Sequence, residues 1–245
     1  MKAPRCLKIY DAVVRRAGAL GLPVGAKVLD APCGDGEIAI MLARSGFEVS
    51  GVDIVNELTP EAREALGGRF QIGDLTSKLP WPDASFDLVV SIEGIEHLEN
   101  AFVFAREVNR VCRPGGFFIV TTPNTISIRS RVRFFGSGFY LSDPRPLNEA
   151  SPHTLHHVGL KTFSELRYIL QISGFDIFDV QPTHVKPISY AYGFLAPWMW
   201  LYTLIAFRKE RDAGQRARNK EIRRAQSSRA ILFGENILVA ARKIE

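Results

Sequence analysis

The stretch Val28-Leu29-Asp30-Ala31-Pro32-Cys33-Gly34-Asp35-Gly36-Glu37-Ile38-Ala39 reads as a short buried strand that passes through a glycine turn into a helix. Strand, glycine turn and helix in that order open a parallel crossover unit, and Gly34-x-Gly36-x-x-Ala39 satisfies the dinucleotide spacing G-x-G-x-x-G/A. Spacing alone does not choose the ligand. Asp30 does, because a carboxylate at the strand end repels a pyrophosphate and suits a ligand that carries an ammonium group.

Working outward, the pattern alternates. Residues 7–20 place Leu7, Tyr10, Val13, Val14 and Ala17 on one helical face, followed by a Gly-Leu-Pro-Val-Gly break. Strands are predicted at Lys27–Ala31, Glu48–Asp53, Arg69–Ile72, Phe86–Ile92 and Phe117–Thr122. Helices are predicted at Glu37–Ser45, at Thr59–Leu66 with Thr59 as cap and Pro60 at the first position, and at Ala101–Val111, closed by Arg113-Pro114-Gly115-Gly116. Strands separated by helices imply right-handed crossovers and an α/β, doubly wound parallel sheet. Beyond residue 123 regularity returns at Thr162–Gly174, with a capping box from Thr162 to Glu165 and a glycine stop; a strand at Phe175–Val180 and a strand-like segment over residues 231–241 follow.

Two further acids end successive strands. Asp53 stands where a carboxylate can take both ribose hydroxyls, and Asp74 where it can meet an adenine amino group while Leu75 packs on the ring. With no Lys or Arg in the glycine loop to meet phosphate, Asp30, Asp53 and Asp74 together describe adenosine joined to a methionine head. On these residues, and on Ser85-Phe86-Asp87-Leu88-Val89-Val90, Ile95-Glu96-His97-Leu98 and Arg113-Pro114-Gly115-Gly116, the chain resembles the class I S-adenosylmethionine-dependent methyltransferases of the bacterial small-molecule type, closely over residues 25–122.

The resemblance implies a Rossmann-like seven-stranded sheet whose last strand is antiparallel, formed by one domain over residues 1–245. It implies S-adenosylmethionine as cofactor, held by Asp30, Gly34, Gly36, Asp53, Ile54, Asp74, Leu75 and Ser91. Pro32 departs from the family, which more often has glycine there, and removes one backbone donor. Insertions over residues 123–161 and 185–230 are expected to cap the acceptor cleft.

A sulfonium methyl is already electrophilic, so the enzyme's task is alignment, with a base only where the acceptor must lose a proton. His97 is the catalytic candidate, its alternative being a packing or loop-bracing residue; His153, His156 and His157 lie in the first insertion. Their H-x-x-H-H spacing invites a metal, but no acid is close in sequence and no metal is expected. Arg129, Arg131, Arg133 and Arg145 against Asp143, interleaved with Phe134, Phe135, Phe139 and Tyr140, suit an acceptor with phosphate and a flat or greasy part, or simply a solvated loop. Cys33 is expected to pack rather than react, since its acidic neighbours disfavour a thiolate.

At 245 residues, 46% hydrophobic and 23% charged, the chain is long and apolar enough for a sizeable core, which excludes disorder throughout. Three cysteines without a C-x-x-C pair exclude a disulfide framework or zinc ribbon and fit a reducing, cytoplasmic setting, and no secretory signal is visible at the start. The net charge of +5 resides in residues 208–224, where eight basic residues face three acidic ones. Before them, residues 187–207 carry no charge and include Tyr190, Tyr192, Trp198, Trp200 and Tyr202. Pro197 and the basic segment argue against spanning, so residues 187–224 are expected to lie peripherally on an anionic membrane face, with a lid or subunit contact as alternatives.

The function expected is O-methylation of a small-molecule, glycan or lipid-linked acceptor. A nucleic-acid methyltransferase is disfavoured because Ser91-Ile92-Glu93-Gly94 lacks the (Asp/Asn/Ser)-Pro-Pro-(Tyr/Phe) pattern of base amino-methylation. A non-catalytic cofactor-binding interaction module is disfavoured by retention of all three acids.

Overall fold

A computed structural model describes residues 4–142, 145–150 and 156–244. Its strands are β1 (Lys27–Asp30), β2 (Glu48–Asp53), β3 (Phe70–Ile72), β4 (Phe86–Ile92), β5 (Cys112–Pro123), β6 (Phe175–Pro182) and β7 (Asn236–Lys243). Its helices are α1 (Pro4–Gly18), α2 (Glu37–Arg44), α3 (Pro60–Leu66), α4 (Ala101–Val111), α5 (Ile128–Ser137), α6 (Phe163–Ile172), α7 (Pro187–Ala191), α8 (Ala196–Phe207), α9 (Ala213–Gln226) and α10 (Arg229–Phe233), with a one-turn 3-10 helix at Ile95–His97. The seven strands form one sheet in the order β3-β2-β1-β4-β5-β7-β6, with β7 antiparallel to both neighbours.

Strand alternation builds two cores from one sheet. Val28, Leu88, Val90 and Ile119 point to the layer of α1, α2 and α3, meeting Val13, Ala17, Ile38, Leu42 and Leu66. Leu29, Val89, Phe118 and Val120 point the other way, toward Phe104 and Val108 of α4 and Leu166, Ile169 and Leu170 of α6. Ile9 and Ala12 complete the buried face of α1, whereas Leu7, expected on it, is exposed.

Local signals act as the residue types dictate. The Thr59 hydroxyl accepts from Ala62 N–H with Pro60 in the first turn of α3, and Thr162 and Glu165 close a reciprocal capping box on α6. Two segments differ from expectation. Arg113-Pro114-Gly115-Gly116 lies within β5 rather than before it: Cys112 already pairs with Phe86, the register shifts before Leu88 meets Phe117, and Gly115 at φ +71° absorbs the irregularity. Residues 231–241 are not one strand, because the Ser228 hydroxyl caps α10 through Ile231 N–H and β7 starts only at Asn236.

β5 and β6 end, and β7 begins, at the same edge of the sheet as the ends of β1, β2 and β4. Both insertions therefore leave the sheet at that edge. The first carries α5 and the second α7–α10.

Candidate active site

Parallel strand order reverses between β1 and β4, the position where open α/β sheets bind ligands. A cavity of about 840 Å³ opens there, lined on one side by Cys33, Gly34, Asp53, Ile54, Asp74 and Leu75. On the other side stand Ile92, Glu93, Gly94, His97, Leu98 and Glu99.

The glycine turn is held by Asp53. Its Oδ2 accepts from Gly34 N–H at 2.7 Å and its Oδ1 from Ile54 N–H at 2.7 Å, which locks the carboxylate at the cavity wall with lone pairs still directed outward. Gly34 (φ +55°) lines the cavity and Gly36 (φ +83°) does not. Gly36 is a packing residue: a Cβ there would stand 2.4 Å from Ala62 Cβ and 2.9 Å from Leu58 Cδ2, so α2 and α3 approach only because it is glycine. Gly36→Ala adds left-handed backbone strain to that clash and is expected to cost about 2–4 kcal/mol, a fall in Tm on the order of 10 °C. Gly34→Ala, with nothing within 4 Å of the new Cβ, should show the backbone part alone. Equal melting temperatures for the two variants would refute the packing role.

Asp74 accepts from both the backbone N–H (2.7 Å) and the hydroxyl (2.7 and 2.8 Å) of Thr76. These bonds, the backbone one foremost, hold its carboxyl below the usual aspartate range, so it keeps accepting hydrogen bonds at pH values where an ordinary aspartate protonates. Leu75 beside it is buried and Ile54 is exposed, and both present apolar surface to the cavity.

Besides Gly36, two further expected contacts are displaced. Asp30, expected to meet the ammonium group directly, is 0% exposed and does not line the cavity; it lies beside the Cys33 thiol. Ser91 is also fully buried, because alternation in β4 turns it with Val89 toward α4 and α6 while Ile92 faces the cavity. Cys33 packs as expected: its sulfur lies where Gly51 has no side chain, and burial first, then Asp30, pushes its thiol far above the ordinary range.

The 3-10 helix forms the opposite wall, and the returning first insertion packs behind it. His97 Nδ1 lies 3.0 Å from the carbonyl oxygen of His156, and the His97 and His157 ring centroids are 4.9 Å apart. Gly159 N–H donates to Glu96 O at 2.7 Å, clamping the insertion onto the helix; His153 and Asp143 lie outside the described residues. Glu93, at φ +48°, accepts from Thr121 Oγ1 (3.0 Å) and from the Asn236 side-chain amide.

The arginines of the first insertion do not line the cavity. Arg129 pairs with Glu235, and Arg131 is half-buried, donating to Ile126 O at 2.7 Å, with partial burial lowering its pKa. No described residue of the second insertion lines the cavity; Asn236, at the start of β7, stands behind Glu93.

Residues 29–120 match the family model described as a methyltransferase domain. A probable S-adenosylmethionine-dependent methyltransferase of Mycolicibacterium smegmatis is 36% identical over 157 residues, 63% of this chain and 54% of that protein. The 27-O-demethylrifamycin SV methyltransferase of Amycolatopsis mediterranei is 34% identical over 139 residues, 51% of each chain. The chain thus spans about half the length of these curated relatives. Among solved structures, a Thermotoga maritima methyltransferase described as a possible histamine N-methyltransferase superposes with a TM-score of 0.57 at 17% identity, over 97% of this chain and 92% of the other.

Proposed function

We propose that the chain, whose residues 29–120 match a methyltransferase domain, is an S-adenosylmethionine-dependent enzyme that O-methylates a small or lipid-linked acceptor. One observation carries the reading. Among the described residues, the cavity wall holds Asp35, Asp53, Glu57, Asp74, Glu93 and Glu99 and neither lysine nor arginine. Such a wall repels the pyrophosphate of a dinucleotide and favours a ligand with sulfonium and ammonium charges. When bound, S-adenosylmethionine supplies a methyl group on positively charged sulfur.

The chain's residues divide the remaining work. Asp53 holds the ribose hydroxyls, Asp74 and Leu75 the adenine, and Ile54 covers apolar ring surface at the mouth. Asp30 supports the loop from beneath, separated from the ligand by Cys33. His97 donates its Nδ1 proton to the His156 carbonyl, which leaves Nε2 as the atom available to an acceptor hydroxyl.

The O-linked substrate named for the rifamycin relative supports oxygen as the acceptor atom. The test is transfer of label from methyl-tritiated S-adenosylmethionine into extracts of membrane lipid, soluble metabolites, glycan and RNA. Label is expected in the lipid or metabolite fraction; label confined to RNA, or none in any fraction, would refute the reading.

The lipid-linked alternative rests on the second insertion. α8 is apolar along its whole length yet buries no residue, and Trp198 and Tyr202 are each 70% exposed. α9 beside it carries Arg216, Arg218, Lys220, Arg223 and Arg224, and a cleft lined by Leu204, Phe207, Arg208 and Arg223 joins the two helices. No helix among the described residues is long and apolar enough to cross a membrane. An apolar aromatic helix beside a cationic one matches an anionic lipid surface, where each basic side chain contributes about 1 kcal/mol. Flotation with phosphatidylglycerol vesicles is expected, weakening with salt and by at least about tenfold when Arg216, Arg218, Arg223 and Arg224 become Gln. A chain that stays unbound and instead dimerises through α8 would refute this surface.

A further inference from the structure

Three metal-ligating side chains from two distant segments converge behind the part of the cavity wall that His97 lines. Glu96 and His97 come from the 3-10 helix, His157 from the returning insertion, and one ligand atom of each lies within 4.8 Å of the others. The acid missing near the histidines in sequence is thus supplied from sixty residues away.

The surroundings orient this group. Glu96 is 0% exposed, and Thr122 Oγ1 donates to its Oε2 at 3.2 Å. A carboxyl group at this depth either holds a proton or faces positive charge, and a bound cation is one way to supply that charge. The His156 carbonyl accepts a hydrogen bond from His97 Nδ1–H, the outer-shell bond that keeps the proton on Nδ1 and leaves Nε2 for a ligand role. The loop carrying His157 is held by Gly159, where a Cβ would stand 2.4 Å from Leu98 O.

We propose that Glu96, His97 and His157 bind a divalent transition-metal cation of the zinc or cobalt type, with an open position toward the cavity for an acceptor oxygen. Two imidazoles and one carboxylate suit such an ion, whereas calcium and magnesium call for more oxygen ligands. Resting on the methyltransferase reading for what fills the open position, the cation would lower the pKa of a bound acceptor hydroxyl, whose proton passes to water.

The test is titration of the full chain with Co²⁺, followed by visible absorption and by displacement with Zn²⁺. One saturable, Zn²⁺-displaceable site is expected. His157→Ala should weaken it on the order of a hundredfold or more, and Glu96→Gln should do the same where that variant still melts cooperatively. His156→Ala should keep the site, because only its backbone carbonyl takes part. No saturable spectrum, or the same affinity in His157→Ala, would overturn the proposal. Calorimetry with S-adenosylhomocysteine on the same preparation separates the two readings: nucleoside binding without metal removes the cation alone, and no nucleoside binding removes the methyltransferase reading.

Discussion

Asp53→Ala is expected to weaken S-adenosylhomocysteine binding by about 2–4 kcal/mol, roughly 30- to 1000-fold in Kd. Two effects combine. The substitution removes a carboxylate able to accept both ribose hydroxyls, and it releases Gly34 N–H and Ile54 N–H from their 2.7 Å bonds, loosening the glycine turn. Asp53→Asn keeps the shape and one acceptor oxygen, so its loss should fall between wild type and Ala. Calorimetry measures both, and thermal melts separate loss of affinity from loss of fold. Unchanged affinity in Asp53→Ala would remove Asp53 from the site.

His97→Ala is expected to lower kcat by about 10²–10⁴ while cofactor affinity stays within about twofold of wild type. The imidazole stands on the acceptor side of the cavity, across from Asp53 and Asp74, with Nδ1 engaged by the His156 carbonyl. Its loss therefore removes the Nε2 that meets the acceptor, directly or through a bound cation, without touching the adenosine side. A variant with wild-type kcat and a lower melting temperature would show that His97 only braces the loop against the 3-10 helix.

The parallel half of the sheet was legible because each of its elements is both periodic and punctuated. β2, β4 and α4 occur at the predicted residues, bounded by glycine, proline and Asn100, whose side chain caps α4. The antiparallel end was less so. Ile231-Leu232-Phe233 is a short apolar run that fits helix or strand equally, and only the Ser228 cap and the break at Gly234 make it helical.

Depth was hidden in another way. Asp30 and Ser91 sit at strand ends where ligand contacts are expected, yet strand alternation and the Cys33 side chain place both below the cavity wall. Glu93, held by Thr121 and Asn236 from two other strands, was missed as a lining residue. Its signal was present in Ile92-Glu93-Gly94, an acid directly following a buried strand. The meeting of Glu96 and His157 leaves no trace in spacing, because a long insertion separates them.

The acidic cavity at the β1–β4 switch point is expected to receive S-adenosylmethionine and not a dinucleotide. Calorimetric titration of the wild-type chain with S-adenosylmethionine and, separately, with NAD tests it most directly. Saturable one-to-one binding of S-adenosylmethionine without measurable binding of NAD is the expected result; tighter binding of NAD, or no binding of S-adenosylmethionine by the folded chain, would contradict it.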